Sequence, residues 1–220
     1  MELESTRPGI SLRALAPNAV TAVALCTGLS GAWFALQGRW ENAVAAIVVA
    51  GVLDAMDGRI ARMLKGESRF GAELDSLSDV IAFGATPALI IYMWVMQDMP
   101  RFGWTISVFF VLCAALRLAR FNARIDTEDQ PHKSAGFNTG VPSPPGAGLA
   151  LLPMIIWFET GADWVHDYRF IAPWLLLVAI LMISNVATYS WSSLKVRPNF
   201  RFMALAGVGL FGATLVAAPW

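Results

Sequence analysis

The chain has little charge, two cysteines and two histidines. Asp, Glu, Lys and Arg together make up 15% of its 220 residues, against about a quarter in soluble domains. The formal net charge is zero, which gives no long-range attraction to nucleic acid, so no nucleic-acid partner is expected. Cys26 and Cys113 each lie inside an apolar run, which excludes a disulfide framework and a thiolate zinc site. Both cysteines are expected in the core. His132 and His166 stand in polar connections and read as solvated loop residues. No low-complexity tract, internal repeat or appended soluble domain is visible. What the chain has in excess is apolar sequence, at 56% of residues. A soluble domain of this size needs less. The class that remains is an all-α, polytopic membrane protein.

Seven apolar stretches approach the roughly 20 residues a helix needs to cross a bilayer. They run over 17–36, 42–64, 74–96, 102–121, 147–158, 170–189 and 202–218, and the fifth reaches full length when counted from Val141 or to Gly161. The first is too long for a signal-peptide core, and Glu2 and Glu4 stand where a basic leader is expected. Residues 1–16 read either as an interfacial amphipathic segment or as a tail broken by Pro8 and Gly9. With the N-terminus in the cytoplasm, 13 of the 16 Lys and Arg residues fall on the inner side, the side such residues prefer. That orientation is expected, with the membrane core over 17–191 and a loop plus one more membrane helix over 192–220.

The second and third stretches carry charges where lipid would penalise them. Asp54, Asp57, Arg59 and Arg62 follow the clean run 43–53, and Glu73, Asp75 and Asp79 open the next stretch at the same depth. Each ionised side chain at a helix centre costs about 2.5–3.5 kcal/mol on insertion scales, so these groups should face a polar cavity. At about 100° per residue, Asp54, Asp57, Gly58 and Ala61 share one arc with Arg62 beside it. Asp75 and Asp79 share a face on the next helix, with Gly71 one turn earlier. Four carboxylates without cysteine or histidine form a hard oxygen site suited to Mg²⁺ or Mn²⁺, with Ca²⁺ as an alternative. The other reading pairs these carboxylates with Arg59, Arg62 and Arg69 at helix ends. Gly58, Ala61 and Gly71 would let a flat group approach the backbone, or would serve helix packing.

The spacing Asp54-x-x-Asp57-Gly58-x-x-Ala61-Arg62, eight residues, Gly71-x-x-x-Asp75-x-x-x-Asp79 resembles the signature of the CDP-alcohol phosphotransferases, with all eight specified residues in place over 26 positions. Pro17-Asn18-x-x-Thr21, Arg117-Leu-Ala-Arg120-Phe121-Asn122 and Gly140-Val-Pro142-Ser143-Pro144 are similar to the bacterial phosphatidylserine synthase branch of that family. The resemblance implies a six-helix core, usually homodimeric, open to the cytoplasmic leaflet of the bacterial inner membrane, and the seventh apolar segment exceeds that core. Members of this branch can be longer, so a C-terminal piece beyond Trp220 stays open. It implies CDP-diacylglycerol bound with its diphosphate on divalent metal held by Asp54, Asp57, Asp75 and Asp79. Asp79 also takes the proton of the acceptor hydroxyl. Gly58, Ala61, Arg62 and Gly71 carry over to the nucleotide and diphosphate, and Asn18 and Thr21 reach the nucleotide from the first helix. Asn18 also reads as a helix N-cap.

L-serine is the acceptor that the branch implies. A zwitterion needs a cation for its carboxylate and an anion or carbonyl for its ammonium. The 24-residue connection 122–145 and the helix end before it offer Arg117, Arg120, Asn122, Arg124, Lys133 and Ser143. Arg117 and Arg120 also fit snorkelling at the interface. Glycerol 3-phosphate, inositol or its phosphate, and choline stay open as acceptors. A cation-coupled transporter is the reading from another class, but the acidic residues cluster in two neighbouring segments with no counterpart in the other half. The motif holds no serine, cysteine or histidine as an evident nucleophile, so direct displacement is expected.

Overall fold

The computed structural model describes residues 12–64, 68–125, 137–184 and 187–189. Helix α1 spans Leu12–Leu36 and α2 spans Trp40–Leu64. Between them Gly38 takes a left-handed φ of 70°, and its N–H closes on the Ala35 carbonyl at 2.9 Å. Helix α3 (Arg69–Asp79) runs through a π-helical turn, Val80–Ala85, into α4 (Thr86–Trp94). Next come a 3₁₀ turn (Met96–Asp98), α5 (Gly103–Ile125), α6 (Ser143–Thr160) and α7 (Tyr168–Ile183). Leu15–Leu36, Arg69–Trp94 and Gly103–Ala123 are long and apolar enough to cross a membrane.

The π turn has a local cause. Pro87 has no N–H to give to the carbonyl four residues back, and its ring crowds that position. The wide turn just upstream absorbs the conflict. There the Thr86 N–H reaches back five residues to the Ile81 carbonyl, and the Thr86 hydroxyl meets the same carbonyl at 2.9 Å.

Close approach of backbones holds the first helices together, as is usual where lipid removes any apolar drive for association. A Cβ on Gly28 would stand 2.6 Å from the Ala82 Cβ, and one on Gly31 would stand 3.1 Å from the Ala43 carbonyl oxygen. The core proper is built from Phe83, Phe110, Ile90, Leu151, Met154 and Leu175. Large apolar side chains such as Trp33, Val52, Leu112 and Leu177 face outward, which suits a lipid environment.

Five readings change. Asn18 lies inside α1 and caps no helix start. The all-α expectation holds for the bulk, but two three-residue strands, β1 (Phe137–Thr139) and β2 (Ala187–Tyr189), pair antiparallel with Asn138 opposite Thr188. The stretch expected as one span over 170–189 therefore stops being helical at Ile183, where Ser184 turns extended. Cys113 is buried, but Cys26 is exposed, because an apolar run in a membrane protein faces lipid as readily as core. His166 lies in the α6–α7 loop, yet it is packed: Nε2 is 3.2 Å from the Trp94 carbonyl and the ring stacks on Trp157 at 5.2 Å. Residues 1–11, His132, Lys133 and 202–218 lie outside the described residues.

Candidate active site

Helix α1 packs against both α2 and α3, and the space between the latter two is a cleft of about 330 Å³. From α1 it is lined by Pro17, Asn18 and Thr21, and from α2 by Asp57, Gly58, Ala61 and Arg62. Helix α3 supplies Ser68, Gly71, Ala72 and Asp75. All six residues expected on the nucleotide side thus border one cavity. The reason is periodic. Asn18 and Thr21 lie about one turn apart on α1, as Ala61 does from the adjacent Asp57 and Gly58 on α2, so each helix turns one face to the same volume.

Ser68 and Ala72 were not singled out from the sequence, whereas Pro17 belongs to the Pro17-Asn18-x-x-Thr21 motif. The Ser68 signal was legible: a serine at the end of a polar connection, three residues before Gly71, is a typical N-cap. Its hydroxyl accepts the Gly71 N–H at 3.0 Å and so starts α3. A Cβ on Gly58 would meet nothing within 4 Å, so the missing side chain there leaves open cavity.

At the head of the cleft Asp54, Asp57 and Asp75 each offer one carboxylate oxygen, all within 4.8 Å of one another. At an effective dielectric of 20, two unit charges that far apart repel by about 3–4 kcal/mol. The arrangement needs a cation, shared protons, or both. Asp57 is 4% exposed and receives the Thr21 hydroxyl at 2.6 Å. Asp79, the fourth carboxylate, lies beside Asp54. Among the described residues its Oδ1 is buried and has no hydrogen-bond partner. An all-oxygen donor set of this kind, with one buried acceptor unpaired, fits a hard dication.

The residues expected to meet the acceptor divide into four groups. Arg117 lies near enough to Asp79 for their charges to interact, and it donates to the Ser143 hydroxyl at 2.6 Å. Among the described residues its Nε is buried without a partner. Arg120 points elsewhere: its guanidinium donates to the carbonyls of Ile183 at 3.0 Å and Ser184 at 3.3 Å, which caps the end of α7. Asn122 exchanges hydrogen bonds with Ser76 at 3.0 and 3.3 Å, linking α5 to α3 one residue beyond Asp75. Nothing in the sequence pattern pointed to Ser76. Lys133 falls outside the described residues.

Residues 14–191 match the family model described as CDP-alcohol phosphatidyltransferase. The chain belongs to that family. Curated relatives carry the name CDP-diacylglycerol–serine O-phosphatidyltransferase. One from Mycobacterium tuberculosis is 36% identical over 214 residues, covering 97% of this chain and 74% of the relative. One from Helicobacter pylori is 34% identical over 181 residues, covering 82% and 74%. One from Saccharomyces cerevisiae is 40% identical over 108 residues, covering 48% and 38%. The acidic cluster, the cleft and the Arg117–Ser143 contact all lie within the span that matches the family. Membership makes the chain a phosphatidyl-transferring enzyme of the membrane.

Proposed function

We infer that the protein transfers the phosphatidyl group of CDP-diacylglycerol to the hydroxyl of L-serine, giving phosphatidylserine and CMP. The observation that carries this is the cluster of Asp54, Asp57 and Asp75 oxygens at the head of the cleft. It stands in a chain whose bacterial relatives are named for that reaction.

The nucleotide and diphosphate lie along Asn18, Thr21, Gly58, Ala61, Arg62 and Gly71. The open space at Gly58 admits a flat group against the α2 backbone. Asp54, Asp57, Asp75 and Asp79 would hold Mg²⁺ or Mn²⁺, with Ca²⁺ able to take the same place. Such an ion would neutralise the diphosphate and stabilise CMP as leaving group. Arg62, at the rim of the cleft, adds positive charge on the same side.

Asp79 is the base. Its unpaired Oδ1 accepts the serine proton as the serine oxygen attacks the phosphatidyl phosphorus. The new P–O bond forms as the bond to CMP breaks, with no covalent enzyme intermediate. Arg117 is the cation for the serine carboxylate, since its buried Nε still has a proton to give. Ser143 sets the rotamer of that guanidinium. Arg120 and Asn122 hold the acceptor side in place, and Lys133 is a further contact from the connection before α6.

The reading sets the N-terminus and the cleft on the cytoplasmic side of the bacterial inner membrane, because 13 of the 16 basic residues fall there. Lipid tails then stay in the bilayer while serine arrives from water. We take the catalytic core as 17–191, with 192–220 adding a loop and one further membrane helix, and the active form as a homodimer.

The test is CMP release by purified protein in mixed micelles of CDP-diacylglycerol with Mn²⁺ or Mg²⁺. L-serine, glycerol 3-phosphate, inositol, inositol phosphate and choline are offered separately, with EDTA as control. Metal-dependent release with serine alone is expected. Release with another alcohol instead would overturn the acceptor, and EDTA-resistant release would overturn the metal role.

A further inference from the structure

We propose that Thr21 is a positioning residue that engages one carboxylate oxygen of Asp57 and thereby biases the acidic cluster toward a small dication over Ca²⁺. The proposal rests on the metal-assisted reading above. It concerns which ion the site prefers and which residue sets that preference.

Thr21 and Asp57 are each 4% exposed, and the Thr21 Oγ1 to Asp57 Oδ2 distance is 2.6 Å. That is the length of a charge-assisted O–H···O⁻ bond. A hydroxyl has one proton to give. The other acceptor in reach, the Pro17 carbonyl, is uncharged and farther away at 3.1 Å, so the proton goes to Asp57.

The donor is stiff. Threonine is β-branched, so its χ1 is restricted in a helix, and the rotamer it adopts sets Oγ1 between the Pro17 carbonyl and Asp57. Helix α1 is itself held at short range: Gly31 abuts the Ala43 carbonyl of α2, and Gly28 abuts Ala82 in the π turn. The Thr21–Asp57 contact has little room to lengthen.

With Oδ2 engaged by the Thr21 hydroxyl, Asp57 would offer an ion chiefly its other oxygen. Mg²⁺ and ions of similar size ask for six oxygens in octahedral order at about 2.0–2.1 Å, a shell that single carboxylate oxygens serve well. Ca²⁺ takes six to eight oxygens at about 2.3–2.6 Å and fills that larger shell partly through carboxylates that give both oxygens. Pinning Asp57 removes one such bidentate option. Thr21 belongs to α1, and no residue of α1 is among the four carboxylates. It therefore acts on the ion through Asp57.

The experiment uses the full-length protein in detergent, with Mn²⁺ as probe, read by electron paramagnetic resonance of the free ion, and Ca²⁺ as competitor. The wild-type protein is expected to bind Mn²⁺ ahead of Ca²⁺. Thr21→Val keeps the shape and loses the proton. It should weaken Mn²⁺ by about tenfold or more, the usual cost of losing a partner of a metal ligand, while Ca²⁺ weakens less. Thr21→Ser restores the donor and should restore the wild-type preference. Equal losses for both ions in Thr21→Val, or a Thr21→Ser that behaves like Thr21→Val, would overturn the proposal, as would a wild-type protein that binds Ca²⁺ as well as Mn²⁺. Thr21→Ala, which also lacks the donor, takes the place of Thr21→Val where that variant does not fold, with the same outcomes deciding. Wild-type protein that binds no Mn²⁺ would instead overturn the metal reading on which the proposal rests.

Discussion

Gly71 sits directly against Asn18: a Cβ added to Gly71 would stand 2.8 Å from the Asn18 Oδ1 and 3.1 Å from the Ser68 hydroxyl. The contact crosses the cleft mouth from α3 to α1. Gly71→Ala must therefore push the Asn18 amide aside. Because the displaced atom ends a movable side chain, crowding costs little, and alanine returns about 0.5–1 kcal/mol of helix propensity. Thermal stability in detergent should change little. The KM for CDP-diacylglycerol should rise about tenfold, the equivalent of one hydrogen bond of about 1.4 kcal/mol. An unchanged KM would remove Asn18 from nucleotide binding.

Asp79→Asn keeps the size of the side chain but takes away the proton acceptor. Turnover should fall by about 10²–10⁴, the usual worth of a positioned general base. CDP-diacylglycerol should still bind, as read by equilibrium binding of a labelled analogue. Near wild-type turnover would exclude Asp79 as the base.

Arg117→Lys replaces a planar fork with a point charge, which cannot serve Ser143 and a substrate carboxylate together. A hydrogen bond to a charged group is worth about 1.5–3 kcal/mol, so the serine KM should rise by about 10–100-fold. The KM for CDP-diacylglycerol should stay put. If both constants rise together, Arg117 is supporting the whole site and not one substrate.

Arg120→Ala removes two donors from the end of α7. The expected result is a loss of about 1–3 kcal/mol of stability, seen as a lower melting temperature in detergent. The serine KM should move less than in Arg117→Lys. The reverse order would make Arg120 the principal acceptor contact.

Much of the site was legible because charge inside an apolar run has few excuses. Asp54, Asp57, Asp75 and Asp79 are spaced by three or four residues, and helical periodicity alone brings them to one face of each helix. What stayed hidden depends on partners far away in the chain. Arg117 and Arg120 differ by three positions, yet one meets Ser143 and the other the end of α7. No local pattern separates them. The Ser76–Asn122 exchange and the β1–β2 pair are likewise contacts at long sequence separation. Cys26 marks a different boundary: in lipid, hydrophobicity says that a residue avoids water, but not which way it points.

The wide turn at Val80–Ala85 works as a phase adjuster. One residue beyond the usual turn rotates everything on its N-terminal side by about 100° relative to everything after it, while adding only about 1.5 Å of rise. Asp75 can therefore line the cleft while Phe83 and Ile90, on the same membrane crossing, face the core. Deleting one residue in that turn would leave the crossing almost as long and just as oily. It would swing both carboxylates about a quarter turn away from Asp54 and Asp57.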